Sequence, residues 1–214
     1  MTDRPPTDAD CIRESLGEPA RFAEIFDRHG AAVAGYVGHR APPSAVEDVV
    51  SETFLAAFKS RSRYDLEHTD ARPWLLGIAT NVAYNQNRSA RRHRDAMARV
   101  QARGAPVSPD FADDIAGRID DAQRIAATRA AWHKLRRPEQ EVLSLFVWAG
   151  LNYAEVAEAL GIPVGTVRSR LSRARTRLHT LTEKHLEPPG CPRKVTGSRD
   201  YAARSPQSQQ EAYQ

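Results

Sequence analysis

Five arginines, Arg168, Arg170, Arg173, Arg175 and Arg177, fall within "GIPVGTVRSRLSRARTRL" (161–178), and no carboxylate falls among them. The acid-free run extends from Ala159 to Thr182. A surface helix normally interleaves Glu and Lys at i,i+4, because each such pair adds a few tenths of a kcal/mol. A helix without acids forgoes that gain, and its guanidinium groups suit forked hydrogen bonds to phosphates and base edges. In helical register Val164, Val167, Leu171, Ala174 and Leu178 recur at steps of three and four and form an apolar stripe. The opposite side carries Thr166, Arg168, Ser169, Ser172, Arg173 and Arg175, which are the candidate contacts to duplex DNA. A carboxylate there would meet the charge of the DNA backbone.

The element that must present these side chains is legible just upstream. In "GLNYAEVAEAL" (150–160), Asn152 can cap a helix and Glu155 can reach back to it as the N3 partner of a capping box. Gly161 suits the left-handed residue that ends such a helix, and a new helix is expected from about Val164. Two short helices joined by a glycine-containing turn form a helix-turn-helix, whose second helix lies in the major groove. One such helix holds DNA weakly. If three arginines neutralise phosphates, affinity falls only about fortyfold between roughly 50 and 200 mM salt, so a second attachment is required.

Composition bounds the rest. The chain has 214 residues, 41% of them hydrophobic and 7% aromatic, with a formal net charge of +4. Alanine and arginine are plentiful and β-branched runs are scarce, so an all-α protein is expected. The excess charge is local, in the opening stretch and in "RSARRHR" (88–94), which points to a polyanionic partner. The N-terminus lacks the apolar segment of a signal peptide, and the longest nonpolar run, "VLSLFVWAGL" (142–151), is too short to span a bilayer. A cytoplasmic protein with no membrane partner is expected. Cys11 and Cys191 fall in ends expected to be flexible and form no CxxC or Cys/His cluster, while His29, His39, His93 and His133 lack ligand spacing. No cofactor or metal is expected. Neither a P-loop nor a GxSxG motif nor a pair of catalytic carboxylates is evident, so the chain is not read as an enzyme.

Two small helical domains joined by a flexible linker account for the pattern. Residues 1–19 are expected to be a flexible N-terminus. Residues 20–95 hold three helical patterns. In the first, Phe22, Ile25, Phe26, Val33, Tyr36 and Val37 mark a core face; in the second, Ser44 and Glu47 read as a capping box before Val46, Val49, Val50, Ala57 and Phe58. The third has Asp70 as N-cap, Pro73 in its first turn and Trp74, Leu75, Ile78 and Val82 on its apolar side. Residues 96–119 carry Gly, Pro and mixed charge without periodicity and read as the linker. A second domain is expected over 120–184, with Ile125, Ala131, Trp132, Leu135, Val142, Leu145, Val156 and Leu160 among its core candidates. A disordered tail is expected over 185–214, since from Glu187 on there is no Leu, Ile, Phe, Met or Trp.

With both halves in view, "VEDVVSETFLAAFK" and "ARPWLLGIATNVAYNQNR" resemble domain two, and "RPEQEVLSLFVWAGLNYAEVAEALGIPVGTVRSRLSRARTRL" (137–178) resembles domain four, of extracytoplasmic-function sigma factors. These are the dissociable subunits that direct bacterial RNA polymerase to promoters. The resemblance implies core RNA polymerase and promoter DNA as partners and admits an anti-sigma factor as regulator. It implies that the recognition helix reads the minus-35 element as duplex, whereas domain two melts the minus-10 element and holds non-template bases. Trp74, Asn81, Tyr84, Asn85 and Arg88 would then lie on or beside the DNA-facing helix, and Tyr64, Asp65, Leu66, His68 and Thr69 in the loop that takes a flipped base. Glu47, Asp48, Ser51, Glu52 and Leu55 would face the polymerase clamp. The rivals are a stand-alone helix-turn-helix regulator, which should dimerise on a palindrome, and an interaction protein whose basic helix binds an acidic surface.

Overall fold

The computed structural model describes residues 5–101 and 119–186. Among the described residues there are eight α-helices and no strand: α1 (Asp8–Glu14), α2 (Ala23–Gly38), α3 (Val46–Ser60), α4 (Arg72–Gln101), α5 (Ile119–His133), α6 (Arg137–Val147), α7 (Tyr153–Leu160) and α8 (Val164–Leu186). The linker over 102–118, the tail from Glu187 onward, and Cys191 with it, lie outside the described residues.

In the first half, α2, α3 and α4 pack together and α1 lies on α2. Ile25, Val33 and Val37 of α2 meet Val49 and Ala57 of α3 and Leu75, Leu76 and Ala79 of α4, all almost fully buried. Full burial of such an aliphatic side chain is worth about 1.5–3 kcal/mol. The 30-residue α4 extends about 45 Å, and this apolar face lies along its first part. In the second half, α8 packs on α5, α6 and α7. Val167, Leu171 and Ala174 are its buried residues, as the spacing predicts, against Val142, Leu145 and Val156.

Four expectations need correction. The N-terminus is ordered from Thr7, which accepts a hydrogen bond from the Asp10 N–H in a capping box and starts α1; Cys11 and Ile12 are then fully buried, so Cys11 is a core residue. A helix this short has no periodicity to read, and packing on α2 supplies its stability. The proposed cap at Ser44 is not used. Pro43 opens a 3₁₀ turn through Ala45 that places Ser44 one position too early, and α3 begins without a side-chain cap. The assigned boundaries also fall short, since α4 continues through Gln101 and α8 through Leu186. Finally, Phe26 and Ile125, expected in the core, are 50% and 68% exposed.

Candidate nucleic-acid interface

The turn between α7 and α8 is built as the sequence predicts. Asn152 Oδ1 accepts from the N–H groups of Ala154 (2.8 Å) and Glu155 (3.0 Å), and the Glu155 carboxylate accepts from the Asn152 N–H at 2.8 Å. Gly161 sits at φ 61° and ψ 40°, the left-handed region, and its N–H and that of Ile162 close the end of α7. On α8 the side chains of Arg168, Ser169, Ser172, Arg173 and Arg175 are exposed and Thr166 is half-buried. Two arginines are held by aromatic surface: the Arg168 guanidinium lies 5.9 Å from the Tyr153 ring centroid, and that of Arg175 lies 5.1 Å from Phe146. Arg177 turns the other way, 3.8 Å from the Glu139 carboxylate. The candidate residues therefore share one open face, and Arg177 lies outside it.

The loop before α4 is held from an unforeseen direction. Asp8 of α1 donates its N–H to the Thr69 carbonyl (3.2 Å), and its carboxylate accepts from the Ala71 N–H (2.9 Å), from Arg28 (2.8 Å) and from His29. Burial pushes this carboxyl up, but the Ala71, Arg28 and His29 donors outweigh it and hold the pKa below the ordinary value. Asp8, His29 and Asp70 bring potential ligand atoms within 4.8 Å of one another, yet Arg28 already supplies the cation at Asp8. The group is a clasp on the loop.

Tyr64 is buried at 7% exposure, against Trp74 at 4.9 Å, and its hydroxyl donates to the His68 carbonyl at 2.8 Å. Burial, aided by nearby carboxylates, drives its phenol pKa far upward. Its ring shapes the loop from inside and offers no open face to a base. Asp65, Leu66, His68 and Thr69 are exposed around it, and Trp74 is half-buried. Along α4, Asn81, Asn85 and Arg88 are exposed and Tyr84 is half-buried. Asn81 is thus not the buried amide that its apolar neighbours suggest.

This face of α4 meets the second half of the chain. The Arg137 guanidinium of α6 lies 3.7 Å from the Tyr84 ring centroid and donates to Asn81 Oδ1 at 3.1 Å. His68 Nδ1 lies 3.3 Å from the Glu158 carboxylate of α7. Burial pushes the Glu158 carboxyl pKa up, and His68 only partly offsets this. Arg72 donates to the Ala149 carbonyl at 2.6 Å, the Tyr36 hydroxyl shares hydrogen bonds with Thr80 (2.7 Å) and Ser144 (3.1 Å), and Arg40 also reaches Ser144. His39 stacks on Trp148 with ring centroids 5.3 Å apart. Sequence periodicity contains no signal for these pairs, which join residues more than 40 positions apart.

On α3, Glu47, Asp48, Ser51 and Glu52 are exposed, and Leu55 is 52% exposed. Phe26 of α2 adds a second apolar group nearby, its ring edge-on to Phe54 at 4.8 Å. It was hidden in the sequence because it obeys the same helical spacing as true core residues. The face thus joins an acidic margin to exposed Phe26 and Leu55, apolar groups of the kind that protein contacts use.

Two family models match the chain: sigma-70 region 2 over residues 25–93 and sigma-70, region 4 over residues 126–178. The RNA polymerase sigma factor CnrH of Cupriavidus metallidurans is 30% identical over 194 residues, covering 85% of this chain and 98% of that protein. The ECF RNA polymerase sigma factor SigL of Mycobacterium tuberculosis is 30% identical over 163 residues, covering 75% and 88%. Among solved structures, CnrH in complex with the cytosolic domain of CnrY matches with a TM-score of 0.54 at 26% identity, covering 83% of this chain and 99% of that one.

Proposed function

The chain belongs to the extracytoplasmic-function class of RNA polymerase sigma factors, and on that premise we propose how its two halves divide the work. As a sigma factor it binds core RNA polymerase and directs promoter-specific initiation, and its family is one of transcription factors and not of enzymes. The phosphodiester chemistry then belongs to the polymerase, and the place of action is the cytoplasm. Among the described residues no helix is long and apolar enough to cross a membrane.

In this reading Thr166, Arg168, Ser169, Ser172, Arg173 and Arg175 read the minus-35 duplex. Asp65, His68 and Thr69 with Asn81, Tyr84, Asn85 and Arg88 capture single-stranded minus-10 DNA, with Trp74 beside them and Tyr64 holding the loop in shape. A base stacked on an aromatic ring is worth about 1–3 kcal/mol, enough to offset unstacking it from the duplex. Glu47, Asp48, Ser51, Glu52, Leu55 and Phe26 dock on the polymerase. The observation that carries the reading is the acid-free, exposed face of α8 on a correctly capped helix-turn-helix. Run-off transcription with core polymerase tests it: transcripts from defined promoters should require this chain. Nanomolar sequence-specific binding to duplex by the chain alone would favour a free-standing regulator instead.

A further inference from the structure

We infer that Phe146 of α6 and Tyr153 of α7 are positioning residues for promoter reading: their stacked rings form a shelf that sets the guanidinium groups of Arg168 and Arg175 in place before duplex DNA arrives. The inference rests on the minus-35 role proposed above for these arginines and names the residues that hold them ready.

The two rings are brought together by the turn that precedes the helix-turn-helix. The Trp148 N–H donates to the Ser144 carbonyl at 2.9 Å and the Leu151 N–H to the Leu145 carbonyl at 3.2 Å, which closes the end of α6. Gly150 stands at φ 67°, a conformation that suits a residue without Cβ, and the Asn152 capping box then starts α7 at Tyr153. Phe146 and Tyr153 thereby stack, with ring centroids 5.5 Å apart and planes 21° from parallel. Both are half-buried against the core. Each gives part of its surface to packing and keeps part for a further partner.

That partner is in both cases an arginine of α8. Arg168 and Arg175 are seven residues apart, which places them about 10 Å from each other along one side of the helix. The first lies over the Tyr153 ring at 5.9 Å and the second over the Phe146 ring at 5.1 Å, within the ~6 Å reach of a cation–π contact. One stacked pair thus serves two cations. Their neighbours on α8 are held by other means: Arg173 donates to the Ser169 carbonyl of its own helix at 3.2 Å, and Arg177 lies 3.8 Å from the Glu139 carboxylate.

The kind of support decides what the arginine can still do. A carboxylate would fix a guanidinium firmly, but it would occupy N–H donors and offset the charge that a phosphate seeks. An aromatic face holds the cation while leaving that charge uncancelled and the donors available to a phosphate or a base edge. Immobilising a long side chain opposes binding, and a side chain already held loses less freedom when DNA arrives. Phe146 and Tyr153 therefore act on the promoter through the arginines.

The experiment uses the full chain bound to core polymerase and a duplex promoter that it transcribes in vitro, with apparent promoter affinity read by competition. Tyr153→Leu and Phe146→Leu keep apolar bulk and remove the ring, and each should weaken promoter binding about two- to fivefold, the size of an exposed cation–π contact. In an Arg168→Ala background Tyr153→Leu should cost nothing further, and in an Arg175→Ala background neither should Phe146→Leu. Tyr153→Phe, which keeps the ring and loses the hydroxyl, should bind as the wild type does. If Phe146→Leu did not fold, the Tyr153 cycle at the exposed start of α7 would decide alone. Ring losses that persisted in full without the arginines, or a loss reproduced by Tyr153→Phe, would overturn the shelf and leave the rings as packing or the hydroxyl as the contact. Arginine variants that weaken binding beside ring variants that do not would overturn the shelf alone. Arginine variants that bound the promoter like wild type would overturn both the shelf and the minus-35 reading.

Discussion

The outer faces of α8 and α4 are both polar helix surfaces assigned to nucleic acid, yet the first stands in solvent and the second is partly engaged by α6 and α7, through Arg137 on Asn81 and Tyr84. Each helix spends its apolar stripe on local neighbours: Val167, Leu171 and Ala174 in one, Leu75, Leu76 and Ala79 in the other. They differ in what reaches the remaining side. On α8 the candidate arginines are exposed, whereas α4 offers Gly77, whose missing Cβ lets α7 come close, and Asn81 and Tyr84, which Arg137 contacts. A polar helix face is therefore available or covered according to the bulk of its side chains as much as their charge.

The sharpest way to break this contrast is to strip the open face. Replacing Arg168, Arg173 and Arg175 together by alanine should lower run-off transcript at least about a hundredfold, since each base or phosphate contact is worth roughly 1–3 kcal/mol. All three side chains are exposed, so thermal unfolding should barely move. If activity survived on every promoter variant, the open face would not be the reading face, and the distinction from α4 would lose its meaning.

On the loop before α4, buried and exposed members should behave differently. Tyr64→Ala removes a buried aromatic and should cost about 3–5 kcal/mol in urea unfolding. His68→Ala, on the exposed rim, should change stability by less than about 0.5 kcal/mol yet reduce initiation on duplex, with partial recovery on a pre-melted template. Equal initiation by His68→Ala and wild type on both templates would remove the loop's rim from DNA capture.

Asp8 sharpens the comparison from beneath. Asp8→Asn weakens the bonds to Ala71, Arg28 and His29 and should cost roughly 2–3 kcal/mol. The folded pKa lies below the unfolded one, so the stabilisation is present above the unfolded value of about 4 and is lost as pH falls through the lowered folded value. Unfolding midpoints measured from pH 7 to pH 3 should fall less steeply for Asp8→Asn than for wild type. Parallel curves would show that the clasp does not depend on the ionised carboxylate.

The smallest effect is expected at the hinge that aims α8. Asn152→Ala deletes a satisfied cap and should cost about 1 kcal/mol of stability by chemical denaturation, with promoter activity lowered only to the same extent. A loss of activity far beyond the loss of stability would mean that α7 positions α8 more actively than a scaffold does.

By itself the sequence determined whatever depends on a few consecutive residues. The Asn152 capping box, the left-handed Gly161 and the buried series Val167, Leu171 and Ala174 are interactions closed within one or two helical turns, so spacing specifies them and with them the open face of α8. The assignment to two helical domains follows from the same local periodicity. Tertiary structure alone decided the order of α1, the clasp of Asp8 on the loop, the burial of Tyr64, the exposure of Phe26 and the contact of Arg137 with Asn81 and Tyr84. In each case the deciding partner is distant along the chain: Ala71 for Asp8, Arg137 for Tyr84, Ala159 for Gly77. Helical spacing tells which side of a residue is apolar, but not which distant surface will come to lie against it.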